Sequence, residues 1–351
     1  MQSINRLRSR LSPVKQQLIS RWSVTLPKVI GATAASVISQ AFVGEQRAVQ
    51  AGKRMHFDTE MSENNRMFLR RSIHRLEKGL VSKPRRDSFA GDFIERTVKT
   101  AASYLQAQDD RDEPELQWFK DVLDMYFRET SNSGDPRVIA ARQRWLSLTV
   151  SLASSSPEIE KSHPFIQSEL SNASEKYTAL REIARHRRSI RQFETKPVPR
   201  NLIEQAVEIG LTAPSACNRQ SLRVIAVDDP ALRVAISKVP MGTAGFAEQI
   251  PTICVVVGQL RGYEHERDRH AIYVDGGLFV TGFILGLEGL GLNSCCINWP
   301  DLEQKEAAMK KLVSLDDDER IIMLVAVGYG LPNQLVPRSR KRSTGMVVGW
   351  Q

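Results

Sequence analysis

Apolar side chains return every three to four residues along five stretches of the first half of the chain, roughly 62–80, 90–107, 115–130, 136–153 and 168–187. That period predicts helices with one buried face. Pro84, Pro114, Gly134–Asp135–Pro136 and Ser154–Ser155–Ser156–Pro157 break the pattern between them, as turn formers do. The last of these, with the His163–Pro164 turn, is the expected hinge. From about residue 181 the pattern becomes mixed. Short apolar runs at 222–228, 252–258, 293–299 and 320–327 predict strands, and helices are expected at 199–213, 230–238, 271–290 and about 301–313. The helix over 271–290 is apolar on all sides and carries Gly276, Gly277, Gly282, Gly286 and Gly289. These glycines cost helical propensity and let another helix approach closely, so a buried packing helix is expected there. No internal repeat is evident.

A chain of 351 residues suits about two domains, and 41% hydrophobic with 25% charged residues excludes a disordered or collagen-like polymer. The net charge of +9 first suggests an acidic partner. Its distribution narrows that. Residues 1–100 hold 19 basic and 8 acidic side chains, the remainder 30 and 32, and residues 1–44 have no acid at all. The division expected is a basic tail over 1–54, a helical region over 55–180 and an α/β region over 181–351. The apolar run Val29–Val43 is short for a membrane span, which needs about 20 residues. It reads as a partly unstructured amphipathic helix, a membrane-surface anchor or an organellar transit peptide. Nucleic acid is not expected as a partner, because Trp22 is the only aromatic residue before Phe42. The four cysteines, Cys217, Cys254, Cys295 and Cys296, lack Cys-x-x-Cys spacing, so neither a disulfide scaffold nor a metal site is expected.

Four stretches carry candidate chemistry. Arg187-Arg188-Ser189-Ile190-Arg191-Gln192-Phe193 concentrates guanidinium groups beside a hydroxyl, and Arg forks match phosphate oxygens bidentately. A solvated basic face is the plain alternative. Ala213-Pro214-Ser215-Ala216-Cys217-Asn218-Arg219-Gln220 joins a helix to a strand. It is either an ordinary loop or a pair of amides able to bond a flat heterocycle or its polyol chain. Gly289-Leu290-Gly291-Leu292-Asn293-Ser294-Cys295-Cys296-Ile297 reads as a helix C-cap and a strand whose backbone N–H groups could face a ligand ring. Arg338-Ser339-Arg340-Lys341-Arg342 follows Gly328-Tyr329-Gly330, and on its own is a solvated charge run.

Taken in order, these stretches resemble the FMN-dependent nitroreductase family over residues 181–351. The resemblance implies an α+β fold, a nitroreductase-like sheet flanked by helices and preceded here by the mostly helical N-terminal region. It also implies a cytoplasmic homodimer with FMN at the interface, NADH or NADPH as electron donor, and a small-molecule acceptor reduced in two half-reactions. By the same resemblance Arg187, Arg188 and Ser189 contact the FMN phosphate, ribityl chain or ring edge, and Arg191 contacts the phosphate. Pro214 and Ser215 come from the partner subunit. Asn218 and Gln220 bond ribityl or ring atoms, and Cys295, Cys296 and Ile297 lie along the ring. One or more of Arg340, Lys341 and Arg342 closes the phosphate site. No side chain is expected to act as acid or base, since the cofactor carries the chemistry.

Two departures bear on the acceptor pocket. Ser221-Leu222 stands where many members have Pro-Trp, and Ser343 follows the basic group where Pro is usual. The segment Asn65–Leu80, with its His74-Arg75-Leu76-Glu77-Lys78-Gly79-Leu80 core, is similar to the leader of a longer subgroup found with bacterial surface-polysaccharide genes. The alternative reading is therefore a non-catalytic or accessory protein of this fold, linked to surface-polysaccharide production. His74, Glu77 and Lys78 share one helical face, either as a salt-bridged surface or as a cover over the flavin pocket. Cytoplasmic placement is expected, with contact between the basic tail and a membrane surface as its variant.

Overall fold

The structure is a computed structural model that describes residues 42–60, 65–106, 112–151 and 161–351. Most of the basic tail, residues 29–41 of the apolar run and the Ser-Ser-Ser-Pro hinge lie outside the described residues. Residues 43–54, assigned to the tail by charge, instead form most of helix α1 (Val43–Glu60). The charge pattern hid this helix because few of its side chains are apolar. Ala48 and Val49 nevertheless pack against Leu260, Tyr263 and Ile272 of the C-terminal half. Gly52 has room for no side chain there: a Cβ would lie 2.7 Å from the Cβ of Leu260. His56 Nδ1 lies 2.9 Å from the Arg261 carbonyl, and Arg47 pairs with Glu303 at 3.0 Å.

Four helices follow: α2 (Arg66–Val81), α3 (Ile94–Gln106), α4 (Glu113–Glu129) and α5 (Pro136–Ser151). Helix α2 starts where Asn65 caps it by accepting the Phe68 N–H. Asp112 and Pro114 start α4 in the same manner. Leu69, Ile73, Leu76 and Leu80 form the α2 stripe that the periodicity predicts. They share one core with Val98 and Tyr104 of α3, Phe119, Leu123 and Tyr126 of α4, and Trp145 of α5.

The C-terminal half opens with α6 (Ala173–His186) and α7 (Arg200–Leu211), then β1 (Leu222–Val227), α8 (Pro230–Ser237), β2 (Thr252–Gln259) and α9 (Ala271–Gly289). It closes with β3 (Asn293–Asn298), α10 (Glu303–Met309) and β4 (Glu319–Gly328). The strands form one antiparallel sheet in the order β1-β2-β4-β3. β2 is apolar at successive positions because both sheet faces are covered. Ile253, Val255 and Val257 enter one core with Ile236 and Met309. Cys254 and Val256 enter the other with Phe279 and Phe283 of α9. The close helix approach expected of α9 is made to α7: a Cβ on Gly282 would lie 3.0 Å from the Ile209 carbonyl, and one on Gly286 3.1 Å from the Ala206 Cα. By length and composition α9 could also cross a membrane, but these contacts account for its apolarity as a packing helix.

Candidate functional site

The first and third stretches meet at the β3 edge. Helix α6 ends at Arg187, whose N–H caps onto the Ile183 carbonyl. The chain then runs beside β3: Ser189 bridges Ser294 in parallel, and the Ile190 N–H donates to the Ser294 carbonyl at 3.0 Å. Phe193 bridges Gly330, and the Glu194 N–H donates to the Tyr329 carbonyl at 2.8 Å. Ile190, Phe193, Cys295 and Ile297 are buried in the same core. Arg187 and Arg188 are half-buried and Arg191 is exposed. Arg188 turns back onto the Arg185 and Arg187 carbonyls. None of the three forms an ion pair among the described residues, so positive charge gathers here without a carboxylate to neutralise it.

That charge acts on the cysteines. Burial pushes the Cys295 thiol above its ordinary value, while Arg191, Ser189 and Arg187 pull it back. Desolvation and the neighbouring Cys295 also raise Cys296, against Arg187. Both thiols therefore stay protonated at neutral pH, which favours the plain reading of packing residues over a thiolate redox pair. Ahead of β3 the helix terminates as expected: Gly291 takes φ +76° and the Leu292 N–H donates to the Leu287 carbonyl.

The second stretch stands at the opposite edge, between α7 and β1. Cys217, Asn218 and Gln220 all have left-handed backbones, at φ 55°, 51° and 50°. Ser215 Oγ accepts the Gln220 N–H at 3.0 Å, and Gln220 Nε2 donates to Asn218 Oδ1 at 3.0 Å. The Ala216 N–H donates to Asp275 Oδ2 on α9, which also accepts the Tyr263 hydroxyl, each at 3.0 Å. Pro214 is exposed and Ser215 half-buried. The fourth stretch is not brought to the others. Arg340, Lys341 and Arg342 are exposed, and Arg342 donates to the Met346 carbonyl. The tail carrying them does leave from beside the first stretch, where the Leu331 N–H and Gln334 Nε2 both donate to the Gln192 carbonyl at 3.0 Å.

The nitroreductase family model matches residues 184–249 and 239–329. Residues 184–329 of this chain therefore resemble the nitroreductase family. Over 189 residues, 44% of this chain and 90% of the relative, the chain is 29% identical to an NADH dehydrogenase of Thermus thermophilus. Over 198 residues, 46% and 84%, it is 25% identical to an iodotyrosine deiodinase of Haliscomenobacter hydrossis. Among solved structures it is similar to a putative nitroreductase in complex with FMN from Desulfovibrio desulfuricans. The identity is 19% and the TM-score 0.42, covering 49% of this chain and 96% of the other.

Within the nitroreductase segment the structure adds residues that motif reading missed. Asp275 was hidden in an apolar helix, where a lone carboxylate needing buried partners was the available signal. Arg219 is buried, stacks over the Tyr263 ring and donates to the Ala216 carbonyl at 3.1 Å. A cavity of about 580 Å³ is lined by the single segment Lys238–Gln249. Its Phe246 shares the core of Phe193 and Cys295. Of the two readings of His74, Glu77 and Lys78, the structure shows the paired face: His74 and Glu77 pair at 3.2 Å, and Glu77 accepts the Trp118 indole N–H at 2.8 Å within the helical half. Lys78 is exposed.

Proposed function

We propose that the C-terminal half binds FMN and acts as an oxidoreductase that takes electrons from NADH or NADPH and reduces a small acceptor. The observation that carries the reading is the group of arginines 187, 188 and 191. They lack carboxylate partners among the described residues and stand beside Cys295–Ile297 in a segment of nitroreductase sequence. Uncompensated guanidinium groups suit a phosphate, which they can grip bidentately. The buried Ser294 hydroxyl beside them has no protein partner among the described residues, as fits a site built for a polar ligand. Bound FMN would supply the two-electron chemistry, receiving hydride from nicotinamide and delivering electrons to the acceptor.

In this reading Arg187, Arg188 and Ser189 hold the phosphate, ribityl chain or ring edge, and Arg191 the phosphate. Cys295, Cys296 and Ile297 flank the ring and exclude water from it. Arg340, Lys341 and Arg342 swing in from the tail to close the phosphate end. Asn218 and Gln220 have used one N–H and one carbonyl oxygen on each other, which leaves amide atoms for the ligand. They stand three strand spacings, about 14 Å, from the β3 edge. A loop so far from the arginines reaches the same ligand from a second copy of the chain, which is the physical case for a homodimer. Exposed apolar side chains on α6 and α9, namely Tyr177, Leu180, Val274 and Leu278, offer that copy a surface. Placement in the cytoplasm follows from the nicotinamide donor, and the basic charge of the tail suits contact with a membrane surface.

One observation favours an accessory role instead. Ser221, where the family often has Pro, is turned inward, its hydroxyl donating to the Gln259 carbonyl at 2.6 Å, so it contributes nothing to an acceptor pocket. The absorption spectrum of the purified full-length protein tests both. Flavin absorbance that bleaches on adding reduced nicotinamide and returns with a quinone is the expected result. Bound flavin without turnover favours the accessory role, and protein that neither carries nor takes up FMN removes the proposal.

A further inference from the structure

The loop that presents Asn218 and Gln220 is not held by the nitroreductase segment alone. Three of its residues are non-glycine and left-handed, a conformation that L-residues adopt reluctantly, so it needs external anchors. One is Asp275 beneath it. The other comes from the helical half: Arg70 Nε donates to the Asn218 carbonyl at 3.1 Å.

Arg70 is fixed before it reaches the loop. It is 8% exposed, its Nη1 bonds the buried Glu115 carboxylate, and its guanidinium lies 5.2 Å over the Trp118 ring. Glu115 is itself held by Arg66 Nε at 2.6 Å and the Tyr104 hydroxyl at 2.8 Å. Trp118 is held by Glu77, and Glu77 by His74. The distinctive residues of the α2 leader thus build a platform, and the platform aims one N–H at the backbone of the loop. A guanidinium that is already paired and stacked loses little freedom when it makes this further bond, so it can impose a geometry on its acceptor.

We propose that Arg70 is a positioning residue for the flavin site: by holding the Asn218 carbonyl it keeps the Ser215–Gln220 loop in its left-handed form, so the helical half completes the site. The proposal rests on the reading that this loop meets FMN, but its structural part stands without it. Nothing in it requires Arg70 to touch the ligand.

The experiment uses the full-length protein with Arg70→Lys and Arg70→Met. Lysine keeps a charge for Glu115 but has no N–H at the Nε position, so it separates platform from loop. Two readouts are taken: amide hydrogen exchange across 214–221 without flavin, and the FMN dissociation constant by fluorescence titration. The expected result for Arg70→Lys is faster exchange confined to 214–221, FMN binding weakened about tenfold, which is about 1.4 kcal/mol, and turnover recovered by excess FMN. Exchange and affinity unchanged in Arg70→Lys overturn the proposal, and so does exchange quickened evenly across the whole chain. If Arg70→Met fails to fold, the lysine variant alone decides. If the wild-type protein does not bind FMN, the flavin reading fails, and loop exchange still decides whether Arg70 is the clamp.

Discussion

The two edges of the sheet share ladders and apolar packing but are reinforced by different groups. At the β3 edge the Arg187–Phe193 stretch is bound by backbone bridges to Ser294 and Gly330, and its apolar side chains share a core with Cys295 and Ile297. At the β1 edge charged and polar groups reinforce the ladder to β2 and the packing of Val227. Arg223 of β1 forks onto Glu319 of β4 with two bonds of 2.7 Å, and Gln259 of β2 joins them at 3.0 Å. Asp275 and Arg70 hold the loop that leads into β1. An edge held by burial is largely indifferent to pH and to a remote side chain. An edge held by ion pairs responds to both, and it can be controlled from another part of the chain.

The largest expected effect breaks the β3 edge as a binding site and leaves it as structure. Replacing Arg187, Arg188 and Arg191 together by Ala removes only side chains that no carboxylate pairs among the described residues. Each charge-assisted bond to a phosphate contributes about 1.5–3 kcal/mol, so FMN affinity should fall by a factor of roughly 100 or more. The melting temperature of the flavin-free protein should hardly move. A titration of flavin fluorescence beside a thermal melt checks both. An unchanged affinity would remove the phosphate assignment.

The next effect sets the edges against each other. Burial works against Glu319, but its bonds to Arg223, the Asp316 N–H and Gln259 outweigh it and hold its carboxyl at about 2. The folded value lies below the unfolded one, so the stabilisation is complete above the unfolded value, about 4.3, and is lost as pH falls towards 2. The contribution is on the order of 3 kcal/mol. Acid should therefore loosen β1 before β3, seen as faster amide exchange in Leu222–Val227 than in Asn293–Asn298. Arg223→Met should be less stable at neutral pH, and the gap from wild type should close as pH falls. A gap that stays constant with pH would show that the pair is not the pH-sensitive element.

Much of this was legible in the sequence, for a physical reason in each case. The helices α2 to α5 declare themselves by a one-sided apolar stripe, such as Leu69, Ile73, Leu76 and Leu80. The strands β2 and β4 do so by unbroken apolar runs, and Gly291 marks the end of α9. Helix α1 was not legible, because its fixing contacts are two small apolar residues, a glycine and scattered ion pairs with distant positions. The arginine cluster stood out as a motif, since its members lie within five residues. Arg70, Glu115 and Asp275 did not, because their roles arise from pairings 45 to 148 residues apart, which no local pattern carries.

The smallest expected effect sharpens the claim that the β3 edge is structural packing around a ligand and takes no part through its thiols. Cys295 is buried and Cys296 exposed, and both thiols sit above their ordinary range. A thiol must ionise to act as nucleophile or electron relay, and these resist ionisation even with Arg187 close by. Cys296→Ser, the milder change because the residue is at the surface, should leave FMN affinity and turnover within about twofold. Alkylation of Cys296 at neutral pH should be slower than that of free cysteine and should quicken only above about pH 8.5, where an ordinary thiol ionises. Rapid labelling at neutral pH, or turnover lost in Cys296→Ser with FMN still bound, would make the vicinal cysteines participants. The β3 edge would then join the β1 edge as a place where titration governs behaviour.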